Sequence, residues 1–176
     1  MVFGCESGGS DPADFDHKQS RLFEIEFSSP AFENDDLIPA KFTCHGENVS
    51  PPLRWSDVPQ NSRSIAIVMD NTYLSANLIR HWSIYNIPVA TRSLKPGFST
   101  KQLSEKSFLQ VKNDFEHYDY SGPCPPEGEE HEYVFFIYAL SQPLEILPDP
   151  DPIALTNAMR GYVIATGSFS GRYFID

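Results

Sequence analysis

The chain has 176 residues, enough for one domain with a substantial core, and 40% of them are hydrophobic. A net charge of -11 argues against binding nucleic acid through its phosphates and against binding an anionic membrane surface, since both require clustered Lys and Arg. The sequence has no apolar run of about 18 residues, so we expect no membrane span. A local anion pocket remains compatible with the overall charge.

The first 20 residues are polar with little periodicity, and we expect a flexible tail over 1–20 followed by one domain over 21–176. Val2 to Cys5 resembles the end of a bacterial lipoprotein signal, although no apolar stretch precedes it. The alternative is an ordinary N-terminus. Both a cytoplasmic and a periplasmic location therefore stay open.

Strand patterns dominate the first half of the domain. Phe23, Ile25 and Phe27 alternate with polar residues, which predicts a half-buried strand. A weaker extended stretch follows over 31–41. Residues 64–69, Ser-Ile-Ala-Ile-Val-Met, form a continuous apolar run typical of a central strand buried on both faces.

The next strand begins at His81 and ends before Pro88, and a long irregular connection is expected over 92–111. The loop Gly122-Pro-Cys-Pro-Pro126 contains three prolines, which fix φ and remove backbone donors. A strand rich in aromatic and β-branched residues opens immediately afterwards, at His131.

The chain ends with a predicted helix and strand. Asp151 is a suitable N-cap and is followed by a proline, so we expect a helix from Pro152 to Ala165 that Gly167 stops. A last strand is expected over 169–175. Many short strands with proline-marked turns and one late helix predict an all-β sandwich or Greek-key fold with a small helical addition.

The chain has three cysteines, Cys5, Cys44 and Cys124, and an odd number does not indicate a disulfide framework. Their spacing matches no zinc pattern. Cys44 and Cys124 would pair if their loops lie on one rim of the sandwich. The alternative is two free buried thiols.

Polar residues that could bind a ligand or transfer a proton lie at the predicted strand ends. Asp70 follows one strand, His81 opens the next, and His131 opens the strand after the proline loop. If these strands are antiparallel, the three residues meet at one rim of the sheet. Taken singly, Asp70 could be a turn residue, His81 a core histidine and His131 solvated surface. The predicted pocket also includes two phenols and two backbone amides, from Tyr120, Tyr133, Ser121 and Gly122.

Two imidazoles with hydroxyl and amide donors suit a small oxyanion, such as a phosphate monoester or a carboxylate. We expect Asp70 to hold the tautomer of His81 or His131 and to favour its protonated form. Glu130 and Glu132 would add negative charge beside His131.

The ordered blocks Phe-Thr-Cys-His-Gly, Ser-Pro-Pro-Leu-Arg-Trp, His-Trp-Ser-Ile-Tyr-Asn-Ile-Pro and Gly-Pro-Cys-Pro-Pro resemble the phosphatidylethanolamine-binding protein family. The resemblance covers about residues 22–175 and is closest to the bacterial branch similar to the Raf kinase inhibitor protein. It implies a two-sheet Greek-key β-sandwich with one C-terminal helix, short peripheral helical turns and an anion pocket on one rim. The resemblance also implies a regulator or inhibitor and not an enzyme, as most family members are.

The predicted ligand-binding residues are Asp70, His81, Tyr120, Gly122, Pro123, His131 and Tyr133, and the resemblance implies all of them except Tyr120. Of the family's Asp-Pro-Asp-Ala-Pro segment only the first aspartate survives, as Asp70. We expect Tyr73 or Leu74 to fill part of the pocket mouth instead. Where the family often has Arg, this chain has Glu132.

Three functions compete. The first is a non-catalytic, regulatory binding module for a small anionic or phosphorylated ligand, with no catalytic residue, metal or cofactor. The second is a metal-dependent or acid–base hydrolase, which two histidines and an aspartate would suit. The third is an inhibitor that binds a protein kinase or protease through the rim loops, by family analogy. The resemblance is also compatible with a homodimer. We favour the first function and keep the third as its alternative.

Overall fold

The computed structural model describes residues 22–73, 78–98, 108–145 and 151–176. The predicted tail over 1–20 lies outside these residues. None of the described helices is long and apolar enough to cross a lipid bilayer. The strands and the α-helix are, in chain order, β1 (Phe23–Glu24), β2 (Phe27–Ser28), β3 (Leu53–Trp55), β4 (Ser64–Asn71), β5 (Ile79–Ile87), β6 (Ser93–Leu94), β7 (Leu109–Gln110), β8 (His131–Leu140), α1 (Pro152–Met159) and β9 (Val163–Tyr173).

The strands form two sheets. One has six strands in the order β1-β9-β8-β4-β5-β7, and the other has three in the order β2-β3-β6. Within the larger sheet, β4 lies between β8 and β5 and pairs with both in antiparallel fashion. The described part of the chain is therefore all-β with a single C-terminal α-helix, as the sequence predicted.

Apolar side chains are buried on both faces of the six-stranded sheet. The larger cluster contains Ile65, Ile67 and Met69 of β4 together with residues of the three-stranded sheet. The smaller cluster contains Ala66 and Val68 of β4 and packs beneath α1. Because both faces are covered, every residue of β4 is buried, which confirms the central strand predicted from its continuous apolar run.

The prediction of one continuous first strand was wrong. Its residues divide between β1, which pairs with β9, and β2, which pairs with β3 in the other sheet. Phe23 is consequently 66% exposed while Phe27 is in the core. The crossing passes over Gly167 of β9, where a Cβ atom would lie 2.1 Å from the Ile25 carbonyl oxygen. Glycine is therefore needed at that point for close approach of the backbone.

The predicted helix begins as expected and ends earlier. The Asp151 side chain accepts a hydrogen bond from the Ala154 N–H at 2.6 Å, which confirms the N-cap. The helix stops at Met159, because Gly161 has a φ of 82° and turns the chain into β9. Gly167 therefore lies inside a strand instead of ending the helix.

Three other predictions need correction. The stretch over 31–41 contains turns, isolated bridges and the start of a 3-10 helix, Ala40–Phe42, instead of an extended segment. The connection over 92–111 contributes β6 and β7, while 99–107 lie outside the described residues. The strand expected from His81 begins two residues earlier, at Ile79.

Candidate functional site

Antiparallel pairing brings three strand ends to one rim of the larger sheet. Asn71 at the end of β4 is opposite Tyr133 near the start of β8 and opposite Ile79 at the start of β5. His81 and His131 therefore lie at the same rim, as predicted. The Tyr133 ring lies between them, with its centroid 5.2 Å from that of His81 and 6.4 Å from that of His131.

Tyr133 is the buried centre of this group. Its side chain is inaccessible to solvent, and its hydroxyl has no hydrogen-bond partner of good geometry. Burial raises the Tyr133 pKa to about 12, while the nearby Cys124 backbone N–H acts in the opposite direction. A buried hydroxyl without a partner is energetically costly, so this atom is available to a bound polar group.

The His81 imidazole has one nitrogen occupied and one available. Nδ1 lies 2.7 Å from the Ser121 carbonyl oxygen, which can only accept, so Nδ1 carries the proton. Burial lowers the His81 pKa, and the Ser121 hydrogen bond and the Asp70 charge only partly oppose this. The ring is therefore neutral near pH 7 with a lone pair on Nε2. Phe115 covers its other side, at a centroid distance of 4.9 Å.

Both nitrogens of His131 have partners. The Asn71 Oδ1 accepts the Tyr73 N–H at 3.0 Å, which points the Asn71 Nδ2 group at His131 Nδ1, 2.9 Å away. Nδ1 must then accept, and Nε2–H donates to the Glu129 carboxylate at 3.0 Å. The Tyr73 ring stacks on the imidazole with centroids 3.8 Å apart. Tyr73, which was expected at the pocket mouth, therefore lies against His131, whereas Leu74 lies outside the described residues.

The acidic residues around His131 differ from the prediction. Glu129 contacts its ring, whereas Glu130 pairs with Arg172 at 3.0 Å and Glu132 accepts from the Thr72 hydroxyl at 3.0 Å. The Glu129 side chain is 42% exposed, so it is free to rotate away from the imidazole. An anion that approaches His131 Nε2 must displace this carboxylate.

The predicted position of Asp70 beside the histidines is wrong. Its carboxylate accepts hydrogen bonds from the Arg80 guanidinium, which also donates to the Ser83 hydroxyl. Both charged side chains are nearly buried, on the wall of a cleft of about 420 Å³ beside α1. The tautomers of the two histidines are set by Ser121, Asn71 and Glu129 instead. The contribution of Asp70 to the site is limited to a charge that raises the His81 pKa.

The amides expected to bind an anion are already used. The Gly122 N–H donates to Asn48 Oδ1 at 2.8 Å, and the Ser121 N–H donates to the His81 carbonyl at 3.2 Å. Gly122 is required by packing, since a Cβ there would lie 2.4 Å from the Phe42 carbonyl oxygen. These two amides therefore hold the loop in place and do not face a ligand.

Tyr120 and Pro123 support the same loop. The Tyr120 hydroxyl donates to the Phe42 carbonyl at 2.8 Å, its ring packs against Trp82, and its burial raises its pKa. The Pro123 carbonyl accepts the Cys44 N–H at 3.1 Å. Cys124 forms a disulfide with Cys44, so the pairing that the sequence left open occurs.

Sequence reasoning missed Asn71 and Phe115. Asn71 follows Asp70 directly, and a period-2 pattern along β4 would have shown which of the two reaches the rim, but β4 is buried on both faces and has no such pattern. The Phe115 contact with His81 depends on a turn within 113–117, held by the Asn113 side chain. Nothing in the local sequence indicated that contact.

Comparison with protein families places the fold and rim in context. Residues 28–174 match the family model of the phosphatidylethanolamine-binding protein. The chain belongs to the phosphatidylethanolamine-binding protein family. This finding confirms the resemblance seen in the sequence.

Relatives within this family occur in distant organisms. A UPF0098 protein of Pyrococcus abyssi is 34% identical over 176 residues, which covers 98% of this chain and 92% of the relative. A UPF0098 protein of Aquifex aeolicus is 34% identical, with 86% of this chain and 90% of the relative covered. The similarity spans nearly the whole length of both relatives, so the domain corresponds to most of each.

Two solved structures have the same fold. A phosphatidylethanolamine-binding protein homolog of Chlamydia trachomatis superposes with a TM-score of 0.77 at 30% identity, covering 87% of this chain and 99% of that one. YbcL of Escherichia coli superposes with a TM-score of 0.78 at 24% identity, covering 86% of this chain and 99% of its own. The YbcL likeness concerns the fold alone.

Proposed function

We propose that this protein is a non-catalytic binding module that takes a small anion, such as a phosphate monoester or a carboxylate, between His81 and His131. The observation that carries the proposal is the buried Tyr133 hydroxyl, which has no hydrogen-bond partner of good geometry and lies between two imidazoles. A ligand oxygen would satisfy this hydroxyl and end the cost of its burial.

Charge changes must accompany binding. His81 is neutral when the site is free, with Nε2 as an acceptor, so an anion at Nε2 would be bound together with a proton. Glu129 would rotate away from His131 and leave Nε2–H to donate to the ligand. We therefore expect anion affinity to increase as the pH is lowered through the range where His81 takes up its proton.

The aromatic residues at the rim suit a ligand with an organic portion. Tyr73 and Phe115 are about half exposed and contact the two histidines. A phosphorylated head group with a cationic or apolar portion would contact these rings while its phosphate meets the imidazoles. Phosphorylethanolamine is accordingly expected to bind more tightly than inorganic phosphate.

The test is calorimetric titration of the wild type with phosphate and with phosphorylethanolamine, followed by the same titration of His131→Ala and Tyr133→Phe. Each variant should lose about tenfold or more in affinity, because a hydrogen bond to a charged group contributes about 1.5–3 kcal/mol. Tyr138→Phe is the matched control, since Tyr138 is on the same strand and packs with the cluster beneath α1. Equal binding by the wild type, His131→Ala and Tyr133→Phe would exclude the site.

A second candidate function is inhibition of a protein kinase or protease through the rim. It is favoured by the exposure of Tyr73, which is 47% accessible although its ring stacks on His131. A partner side chain could cover this ring without entering the pocket. Inhibition assays against purified kinases and proteases should then show an effect that Tyr73→Ser weakens and Tyr133→Phe does not.

Sedimentation of the same samples would show whether the chain forms a homodimer.

A further inference from the structure

A second cluster of reactive side chains lies outside the anion site. Cys44, His45 and Cys124 each offer one ligand atom, and these atoms all lie within 4.8 Å of one another. The two sulfurs are joined as a disulfide with a Cα–Cα distance of 5.5 Å. Cys124 and His45 are exposed and Cys44 is partly exposed, so a dithiol reductant has access to the bond.

We propose that reduction of the Cys44–Cys124 disulfide creates a zinc site made of the two cysteine thiolates and the His45 imidazole. A dithiol donates two electrons and two protons, the S–S bond breaks, two cysteine thiols form, and the reductant becomes a disulfide. Zn²⁺ then displaces the two thiol protons to solvent. Two thiolates balance its charge, and a fourth position stays open for water.

The distances suit a tetrahedral ion. With Zn–S and Zn–N bonds of about 2.3 and 2.05 Å, sulfur and nitrogen on one zinc lie about 3.6 Å apart. The Cys44 Sγ atom is 3.8 Å from His45 Nε2. Two sulfurs on one zinc lie about 3.8 Å apart. The two Sγ atoms must therefore separate after reduction, which side-chain rotation allows at this Cα–Cα distance.

The His45 ring has a partner that leaves one nitrogen for a metal. The Tyr173 oxygen is 3.3 Å from His45 Nδ1, and the two rings are stacked with centroids 5.9 Å apart. If Nδ1–H donates to this oxygen, Nε2 presents its lone pair. Metal-binding histidines commonly donate their second ring N–H in this way, which fixes the tautomer and the ring orientation.

Hydrogen bonds also hold the backbone of the cluster, in addition to the disulfide. The Cys44 N–H donates to the Pro123 carbonyl, and the His45 N–H donates to the Thr43 hydroxyl at 3.2 Å. Gly46 closes the turn against the 3-10 helix, where a Cβ atom would lie 2.1 Å from the Ala40 carbonyl oxygen. Reduction therefore leaves the three ligands close together, so little ordering is needed to bind the metal.

The experiment uses the full chain with Cys5→Ser, so that the thiols counted are Cys44 and Cys124. Zinc binding is measured by competition with a chromophoric chelator, for oxidised protein and for protein reduced with a phosphine. We expect one zinc per reduced chain and none per oxidised chain. His45→Ala should weaken binding ten- to hundredfold, whereas His117→Ala, at an exposed histidine outside the cluster, should not change it.

Cobalt substitution supplies a second readout. Thiolate-to-cobalt charge-transfer absorption should appear only in reduced protein and should disappear in Cys44→Ser. Equal zinc affinity of the reduced protein and the Cys44→Ser/Cys124→Ser double variant would overturn the proposal, as would equal affinity of His45→Ala and wild type. Circular dichroism of the reduced chain checks that it is folded, and the exposed His45→Ala variant tests the site without disturbing the core.

Discussion

Asp70 and Asn71 are consecutive residues of β4, and their side chains point to opposite faces of the six-stranded sheet. Asp70 faces α1 and pairs with Arg80. Asn71 faces the rim that holds the two histidines and bonds to His131. Because side chains alternate along a β-strand, the buried ion pair and the histidine rim lie on opposite faces of the sheet although they involve consecutive residues.

The two positions require different chemistry. The Arg80 guanidinium is nearly buried, so it needs a full charge beside it to compensate for lost hydration. His131 needs a neutral donor that fixes its tautomer, and Asn71 supplies it because its Oδ1 is held by the Tyr73 N–H. A carboxylate at position 71 could not donate to this imidazole. Asp70 and Asn71 therefore cannot exchange positions.

The largest expected effect is on stability, from Asp70→Ala. This change leaves the Arg80 charge buried without its partner and should lower the free energy of unfolding by about 3–5 kcal/mol. Urea denaturation measures the loss. Anion affinity measured on the folded fraction should change much less than in His131→Ala, because Asp70 makes no hydrogen bond to either histidine and acts on His81 only through its charge.

The control for Asp70 removes both charges. In Asp70→Leu/Arg80→Met the buried charge is gone, and much of the lost stability should return, since apolar replacements of buried ion pairs are often neutral. If the double variant is as unstable as Asp70→Ala, the loss comes from packing beneath α1 and the ion pair is not its cause.

Asn71→Ala should have a smaller effect on stability and a larger effect on the site. It removes the donor to His131 Nδ1 and the acceptor for the Tyr73 N–H, with an expected loss of about 1–3 kcal/mol. NMR of the His131 ring nitrogens should show a mixture of tautomers in place of the single Nε2–H form. A single unchanged tautomer would mean that Glu129 alone sets the ring.

The sequence predicted much of the fold but less of the site. The strand β4, the start of β8 and the N-cap at Asp151 were predictable, because each depends on residues close together in the chain. The meeting of His81 and His131 followed from antiparallel pairing. The sheet face on which Asp70 lies could not be predicted, because a strand buried on both faces has no alternation of polar and apolar residues. The hydrogen bond from the Gly122 N–H to Asn48 joins residues 74 positions apart, so no local sequence pattern could predict it.

The free energy of unfolding should depend on pH through His81, which lies at the rim. Burial holds the His81 pKa below its ordinary value of 6.5. Below pH 6.5 the unfolded chain therefore binds a proton that folded His81 does not. Stability from this residue is fully present above pH 6.5 and falls as the pH decreases towards the folded pKa, by at most about 1.4 kcal/mol per pH unit.

The comparison for this measurement is His81→Asn, whose side-chain amide can still donate to the Ser121 carbonyl. Both proteins share every other titrating group, so the difference between their stability profiles isolates His81. That difference should be flat above pH 6.5 and decline below it. A difference that instead falls as the pH rises above 6.5 would mean a raised His81 pKa and a charged ring in the free site. Added phosphate should reduce the decline in wild type, because a bound anion favours protonated His81.

The smallest expected effect on stability comes from Tyr133→Phe. The Tyr133 hydroxyl has no hydrogen-bond partner of good geometry, so its removal should leave the free energy of unfolding unchanged or slightly higher. Tyr120→Phe is the matched comparison in the same core: its hydroxyl donates to the Phe42 carbonyl, and its loss should cost about 1–3 kcal/mol. Two buried tyrosines thus differ in what their hydroxyls do. Tyr120 stabilises the loop, whereas the Tyr133 hydroxyl adds little to folding and is expected to matter only when an anion binds. If Tyr133→Phe destabilises the protein as much as Tyr120→Phe does, its hydroxyl has an internal partner and is not free for a ligand.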